Sequence, residues 1–151
     1  MRLNPFETFI EGLRKGSLIS VRYMLPAVIA AFVVIEILHT SGILPFLGKT
    51  FAPLMQFFGL PGEALAVLLA AWASSAGAIG IAAAMATRGI LSQQDIAILL
   101  PAILLMGSQL QFFRRILAVA GVQNRRIPGL MLIGLLNAAL AMLFTHWILF
   151  Q

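Results

Sequence analysis

The sequence contains no cysteine among its 151 residues, which excludes disulfides, thiolate nucleophiles and cysteine-ligated metal sites. Charged residues are also scarce, at 10%, whereas soluble domains average about 25%. Hydrophobic residues make up 61%, and a chain of this size cannot bury that much apolar surface in a water-soluble core. These proportions exclude a soluble enzyme, a disordered tail and a nucleic-acid-binding arm. They predict an all-α integral membrane protein whose immediate partner is the lipid bilayer.

Long stretches of the chain carry no charged residue at all. Three such intervals are 24, 18 and 25 residues long: 64–87, 96–113 and 127–151. A further apolar stretch precedes Glu36. Because a membrane-spanning helix needs about 20 apolar residues, we expect four intramembrane segments, near 17–39, 63–87, 95–118 and 128–150.

Two other segments are expected to lie at the membrane surface. Phe6, Phe9, Ile10 and Leu13 recur at helical spacing, so residues 1–16 form an amphipathic N-terminal helix, either docking on a surface or guiding insertion. Residues 17–151 then form a single membrane domain. The stretch 41–62 is apolar but interrupted by prolines and glycines, which favours an interfacial helix over 43–58.

The basic residues favour an odd number of crossings. If all four segments cross, five Lys/Arg lie on each side, and the positive-inside rule sets no orientation. If 63–87 enters and returns to the same side, eight lie inside and only Lys49 and Arg88 outside. If 95–112 is the re-entrant segment instead, nine Lys/Arg lie inside and one lies outside. Either arrangement is multi-pass, with three spanning helices and a cytoplasmic N-terminus.

Local sequence favours 63–87 as the re-entrant hairpin. Its centre, residues 74–80, contains only small residues and one isoleucine, and its two glycines permit a tight turn. Such a hairpin is tolerated in a membrane only where its tip is packed in protein or lines a cavity. The alternative is a straight helix whose small residues pack against a neighbour.

The third segment contains its own break. Pro101 removes a helical hydrogen bond, and Gly107, Ser108 and Gln109 follow it with polar groups. Transporters often build sites where discontinuous helices meet; the alternative is a kinked helix whose Gln109 is satisfied by a neighbour. The candidate substrate-lining residues are therefore Ser74, Ser75, Gly77, Gly80, Gly107, Ser108, Gln109 and Asn137. For Asn137, in the last segment, a hydrogen bond to another helix is the other interpretation.

No catalytic or cofactor-binding pattern is found in the sequence. There is no Ser/His/acid arrangement, no phosphate-binding loop and no pair of close carboxylates, so we expect neither an enzyme nor a cofactor. Glu36 and His39 are three residues apart, but two ligands are too few for a closed metal site.

Several strings resemble a known family. GLPGEA at 59–64, GAIGIAA at 77–83 and LLPAILLMG at 99–107 are similar to the YjiG/SpmB group of small bacterial inner-membrane proteins, which carry a nucleoside-recognition, or Gate, domain. The resemblance covers about residues 8–150. It implies a location in the bacterial inner membrane. It also implies a fold like one half of the concentrative nucleoside transporter core: helix, interfacial helix, re-entrant hairpin, broken helix, helix.

The resemblance also implies a partner and a function. The partner is a second Gate-domain protein of the YjiH/SpmA type, with a homo-oligomer as the alternative. This chain is then one inverted half of a two-chain transporter, whose substrate is nucleoside-like by family name only. The hairpin tip has Ser74 and Ser75 where nucleoside transporters carry Gln, Asn or Glu side chains. The alternative function is a structural or regulatory membrane factor in envelope or spore-maturation physiology.

Overall fold

The computed structural model describes residues 5–112 and 124–151, and within these ranges the chain is helical and contains no β-strand. A π-helical turn, Ser20–Met24, joins the first two helices, and a short 3₁₀ turn, Asn124–Arg126, leads into the last. The prediction of an all-α protein is confirmed. The helices are α1 (Pro5–Ile19), α2 (Leu25–Thr40), α3 (Ile43–Gln56), α4 (Ala64–Ala73), α5 (Ser75–Thr87), α6 (Gln93–Met106), α7 (Gln109–Phe112) and α8 (Ile127–Leu149).

Two helices of the described chain are long and apolar enough to cross a membrane. One is the continuous helix Pro5–Thr40, formed by α1, the π turn and α2, and the other is α8. Residue 16 therefore lies inside a helix, and the division into segments 1–16 and 17–151 stays a prediction. The predicted segment 95–118 and its arginines, Arg114 and Arg115, extend outside the described residues.

The predicted segment 63–87 forms two helices that pack against each other. α4 ends at Ala73, and Ser74 adopts an extended conformation with φ −159° and ψ 121°. The Ser74 hydroxyl accepts a hydrogen bond from the Gly77 N–H at 3.2 Å and so caps α5. We expected glycines to form the turn, but Gly77 and Gly80 are helical. An extended, capping serine is sufficient to break the helix.

Gly80 allows α5 to approach α2 closely. A β-carbon at Gly80 would lie 2.8 Å from Ala31 Cβ and 3.1 Å from Val28 Cα. Farther along both helices, Arg88 forms an ion pair with Glu36. The two contacts mean that α5 runs alongside α2 in the same direction.

α6 starts with a capping box and runs through its proline. The Ser92 hydroxyl accepts from the Asp95 N–H, and the Asp95 carboxylate accepts from the Ser92 N–H at 2.7 Å. Pro101 lies inside the helix, and the break falls instead at Gly107, whose ψ of 130° is no longer helical. A helix can lose the one hydrogen bond that proline removes and still continue, whereas it ends where the backbone leaves helical geometry.

α8 packs along α6 and passes α4 in the opposite direction. Gly134 lies against Gln109, and His146, three turns later, lies against Gly59 just before α4. Ala138 and Met142 are its buried residues. The largest fully buried side chains of the core come from five helices, α2 to α6: Ile35, Leu44, Val67, Met85, Ile98, Leu99 and Ile103.

Candidate functional site

The two helix breaks meet each other inside the molecule. The Ser75 N–H donates to the Ser108 hydroxyl oxygen at 3.1 Å, and the two serine hydroxyl oxygens are 3.3 Å apart. The Ser108 N–H donates to the Ala71 carbonyl at 2.8 Å. We call this meeting point, residues 71–75 with 107–109, the junction. It joins the α4–α5 break to the α6–α7 break through neutral hydroxyl and backbone groups.

Ser108 has an unusual backbone conformation. Its φ of 59° is in the left-handed region, which a non-glycine residue adopts at a cost of about 1–2 kcal/mol. Three hydrogen bonds at this residue offset that cost, because its N–H and its hydroxyl are both engaged with α4 and α5. Gly107 lies directly under the Ser75 side chain, where a β-carbon would overlap the Ser75 hydroxyl.

Gln109 is buried and bridges three helices. Its side-chain carbonyl accepts from the Trp72 indole N–H at 3.2 Å. Its amide nitrogen lies so close to Gly134 of α8 that a β-carbon there would overlap it. Neither Trp72 nor Gly134 was among the predicted site residues. The signal for Trp72 was present in the sequence, because an indole N–H within an apolar segment needs an acceptor. A helical glycine gives no such signal for Gly134.

An apolar groove adjoins the junction. Its volume is about 390 Å³, and side chains of α3, α4, α6 and α8 line it. Trp72 lines the groove and also belongs to the junction. Met106, the last residue of α6, lines the groove and directly precedes the junction residue Gly107. The groove therefore leads from the outer surface of the helices to the two breaks.

The predicted site residues divide into four groups. Ser75, Gly107, Ser108 and Gln109 meet at the junction, and Ser74 with Gly77 shapes the start of α5. Gly80 contacts α2 instead. Asn137 is exposed on α8, and it forms no hydrogen bond with another side chain of the described residues.

Among the described residues, no ionisable side chain takes part in the hydrogen bonds of the junction. Glu36, which we considered as a partner of His39, pairs with Arg88. Within residues 5–112 and 124–151 there is no group of three or more His, Asp or Glu side chains that could hold a metal ion. The chemistry available at the junction is therefore neutral hydrogen bonding.

The outer surface and the interior together define the class of protein. Large apolar side chains such as Ile29, Phe32 and Leu140 are exposed around α2 and α8, far beyond what the surface of a water-soluble monomer carries. The polar helix breaks lie inside. This is a helical membrane protein.

The chain belongs to the Gate family, described as nucleoside recognition, whose model matches residues 21–121. The inner membrane protein YjiG of Escherichia coli K12 is 42% identical over 141 residues, which cover 93% of this chain and 92% of that protein. YjiG of Escherichia coli O157:H7 matches with the same values. No solved structure matches the chain. The resemblance noted in the sequence is confirmed.

Proposed function

We propose that this chain is one subunit of a transporter in the bacterial inner membrane. In this proposal the continuous helix over α1 and α2, the broken helix α6–α7 and α8 cross the bilayer. α4 and α5 form a re-entrant hairpin, and α3 lies at the interface. The arrangement resembles one half of the concentrative nucleoside transporter core. The inner-membrane name of the 42%-identical Escherichia coli relative supports this location.

The observation that carries the proposal is the hydrogen bond from the Ser75 N–H to the Ser108 hydroxyl. It joins two interrupted helices, and transporters commonly bind solutes where such helices meet. Interrupted helices are rare in membranes elsewhere because their free backbone groups are costly in lipid. The strained Ser108 points the same way, since such conformations persist mainly where function requires them.

The hairpin is supported by residues that flank the α4–α5 pair. Glu63 precedes α4 and Ile90 follows α5, yet both line one small cavity with His39 and Leu44. The two ends of the segment are thus at the same end of the molecule as the last turn of α2. That geometry suits a segment that enters and leaves the bilayer on one face.

The proposed partner is a second Gate-domain membrane protein, or a further copy of this chain. A hairpin tip in lipid leaves backbone polar groups without partners, each at a cost of several kcal/mol. A partner surface over the tip removes that cost. The neutral junction suits an uncharged, hydrogen-bonding solute, which agrees with the family description of nucleoside recognition.

One observation favours the non-transport alternative. The polar side chains of the junction are largely hydrogen-bonded to one another, Ser75 to Ser108 and Trp72 to Gln109. Such mutual hydrogen bonds hold helices together and leave few groups free for a solute. A structural or regulatory membrane factor would need these bonds permanently, whereas a transporter would open some of them to bind its solute.

Bulky substitution at Ser75 separates the two functions. Labelled uridine and adenosine serve as probes in vesicles from cells expressing the chain, with its co-purifying partner if there is one. Ser75→Leu is expected to abolish uptake above background while Ser41→Leu, at an exposed turn, leaves it unchanged. If Ser75→Leu assembles normally and transports as the parent does, the proposed permeation path is wrong. Absence of uptake by the parent chain and its partner would support the structural role.

A further inference from the structure

The middle of α8 carries an amide on a face that is otherwise apolar. Asn137 is the eleventh residue of this 23-residue helix, so it lies near the centre of the bilayer if α8 spans it. Its side chain is exposed and forms no hydrogen bond with another side chain of the described residues. A primary amide left unpaired in hydrocarbon costs several kcal/mol. The hydrogen-bonding partner of Asn137 therefore lies outside the described residues.

The residues around Asn137 follow a coiled-coil spacing. Six exposed residues of α8 follow one another at alternating intervals of three and four: Leu130, Ile133, Asn137, Leu140, Phe144 and Trp147. We call this stripe the Asn137 seam. The Phe144 and Trp147 rings, 6.4 Å apart between centroids, confirm that its members share a face. Large apolar residues at this spacing with one central asparagine are the pattern of a left-handed helix pair.

The seam faces away from the described residues of the other helices. Ala138 and Met142, the buried residues of α8, lie more than a quarter-turn around the helix from Asn137. The junction contact at Gly134 is also on that inner side. Nothing in the proposed transport site uses the seam, so another helix can pack on it without disturbing the junction.

Asn137 indicates which helix packs on the seam. An amide both donates and accepts, so two asparagines at the same level can satisfy each other, and a single buried asparagine in a heptad seam fixes the register of like helices. With 63–87 re-entrant, as proposed above, the eight-to-two bias of basic residues makes all copies insert in one orientation. Residues 127–151 carry no charge that would oppose parallel α8 helices. We infer that the Asn137 seam is the interface of a parallel homodimer, with the two Asn137 amides hydrogen-bonded at the bilayer centre.

Cysteine cross-linking tests this inference directly, because the sequence contains no cysteine of its own. Single-cysteine variants Ile133→Cys and Leu140→Cys, oxidised in native membranes with copper phenanthroline, are expected to give a disulfide-linked homodimer. The matched control is Leu132→Cys, which is equally exposed but lies off the seam. A homodimer yield at positions 133 and 140 no higher than at 132 would overturn the inference, and so would cross-links exclusively to a different chain.

Substitution of Asn137 tests the amide pair. Energy transfer between fluorescently tagged copies in lipid vesicles measures the dissociation constant. Asn137→Leu keeps the apolar seam and is expected to raise this constant about tenfold, with Asn137→Gln intermediate, in the range of membrane amide pairs. An unchanged constant for Asn137→Leu would contradict the inference. The inference rests on α8 crossing the bilayer and on the proposed single orientation of the chain, and not on transport. Ser75→Leu, which tests transport, is therefore expected to dimerise normally.

Discussion

At the scale of single residues, Ser108 combines an unfavourable backbone conformation with useful hydrogen bonds. Its φ of 59° favours glycine, whereas its hydroxyl accepts from the Ser75 N–H. Replacing it with alanine removes the hydroxyl and keeps the backbone strain. Replacing it with glycine removes both. The two substitutions therefore separate the contribution of the hydroxyl from that of the backbone.

We predict that Ser108→Ala destabilises the protein more than Ser108→Gly does. Loss of the hydroxyl costs about 1–2 kcal/mol in both variants, and glycine recovers about 1 kcal/mol by relieving the left-handed strain. Thermal unfolding of the detergent-solubilised protein measures the difference. If alanine is the better tolerated of the two, Ser108 does not adopt this conformation in the membrane.

Some members of the site were predictable from the sequence and some were not. Ser75, Gly107, Ser108 and Gln109 stood out because polar and small residues interrupt an apolar segment. Trp72 and Gly134 became recognisable only in three dimensions, since their contacts with Gln109 join residues 37 and 25 positions apart in the chain. No periodicity in the sequence encodes such a pairing.

At the scale of helices, close packing depends on which glycine of α5 faces a neighbour. A β-carbon at Gly80 would lie 2.8 Å from Ala31 Cβ, whereas at Gly77 the nearest atoms are those of Ser74, at 3.5 and 3.6 Å. The two residues share a helix and differ in what they touch. In a membrane, helix association depends on such backbone approach because lipid removes most of the hydrophobic driving force.

Gly80→Ala is accordingly expected to destabilise the α2–α5 contact by about 1–3 kcal/mol, the usual cost of overpacking. Gly77→Ala, its matched control, is expected to be neutral or to stabilise by up to about 1 kcal/mol through helix propensity. Unfolding of both variants in the same detergent gives the comparison. Equal effects of the two substitutions would mean that α2 and α5 are not packed as described.

The helix boundaries show where sequence reasoning works and where it fails. The interruption of 63–87 and the start of the last helix near 128 were anticipated from composition and charge-free length. The break attributed to Pro101 lies at Gly107, because tertiary contacts with α4 and α5 draw the chain out of the helix there. Propensity alone does not contain that information.

At the scale of the whole molecule, the proposed topology follows from the basic residues. In the proposed arrangement Lys49 and Arg88 lie outside, and Arg14, Lys15, Arg22, Arg125 and Arg126 lie inside with the arginines beyond the described ranges. Lys/Arg bias near spanning segments is the main determinant of orientation in bacterial membranes.

We predict that reporter fusions after residues 40, 90, 120 and 151 report outside, outside, inside and outside. Paired alkaline phosphatase and green fluorescent protein fusions give complementary signals for each side. The fusion after residue 90 is decisive, since a single straight helix over 63–87 would place it inside. An inside signal there, with an outside signal after residue 40, would refute the re-entrant hairpin.

The π turn at Ser20–Met24 has a consequence for the N-terminal helix. Each turn of a π helix takes up about one residue more than an α turn, which rotates everything before it by roughly 100° relative to α2. The apolar face of α1, formed by Phe6, Phe9, Ile10 and Leu13, therefore does not continue the face of α2 that contacts Gly80. No residue of α1 is buried. Removing one residue from this turn would rotate the apolar face of α1 about the helix axis by the same angle, while α2 and the helices packed against it keep their positions.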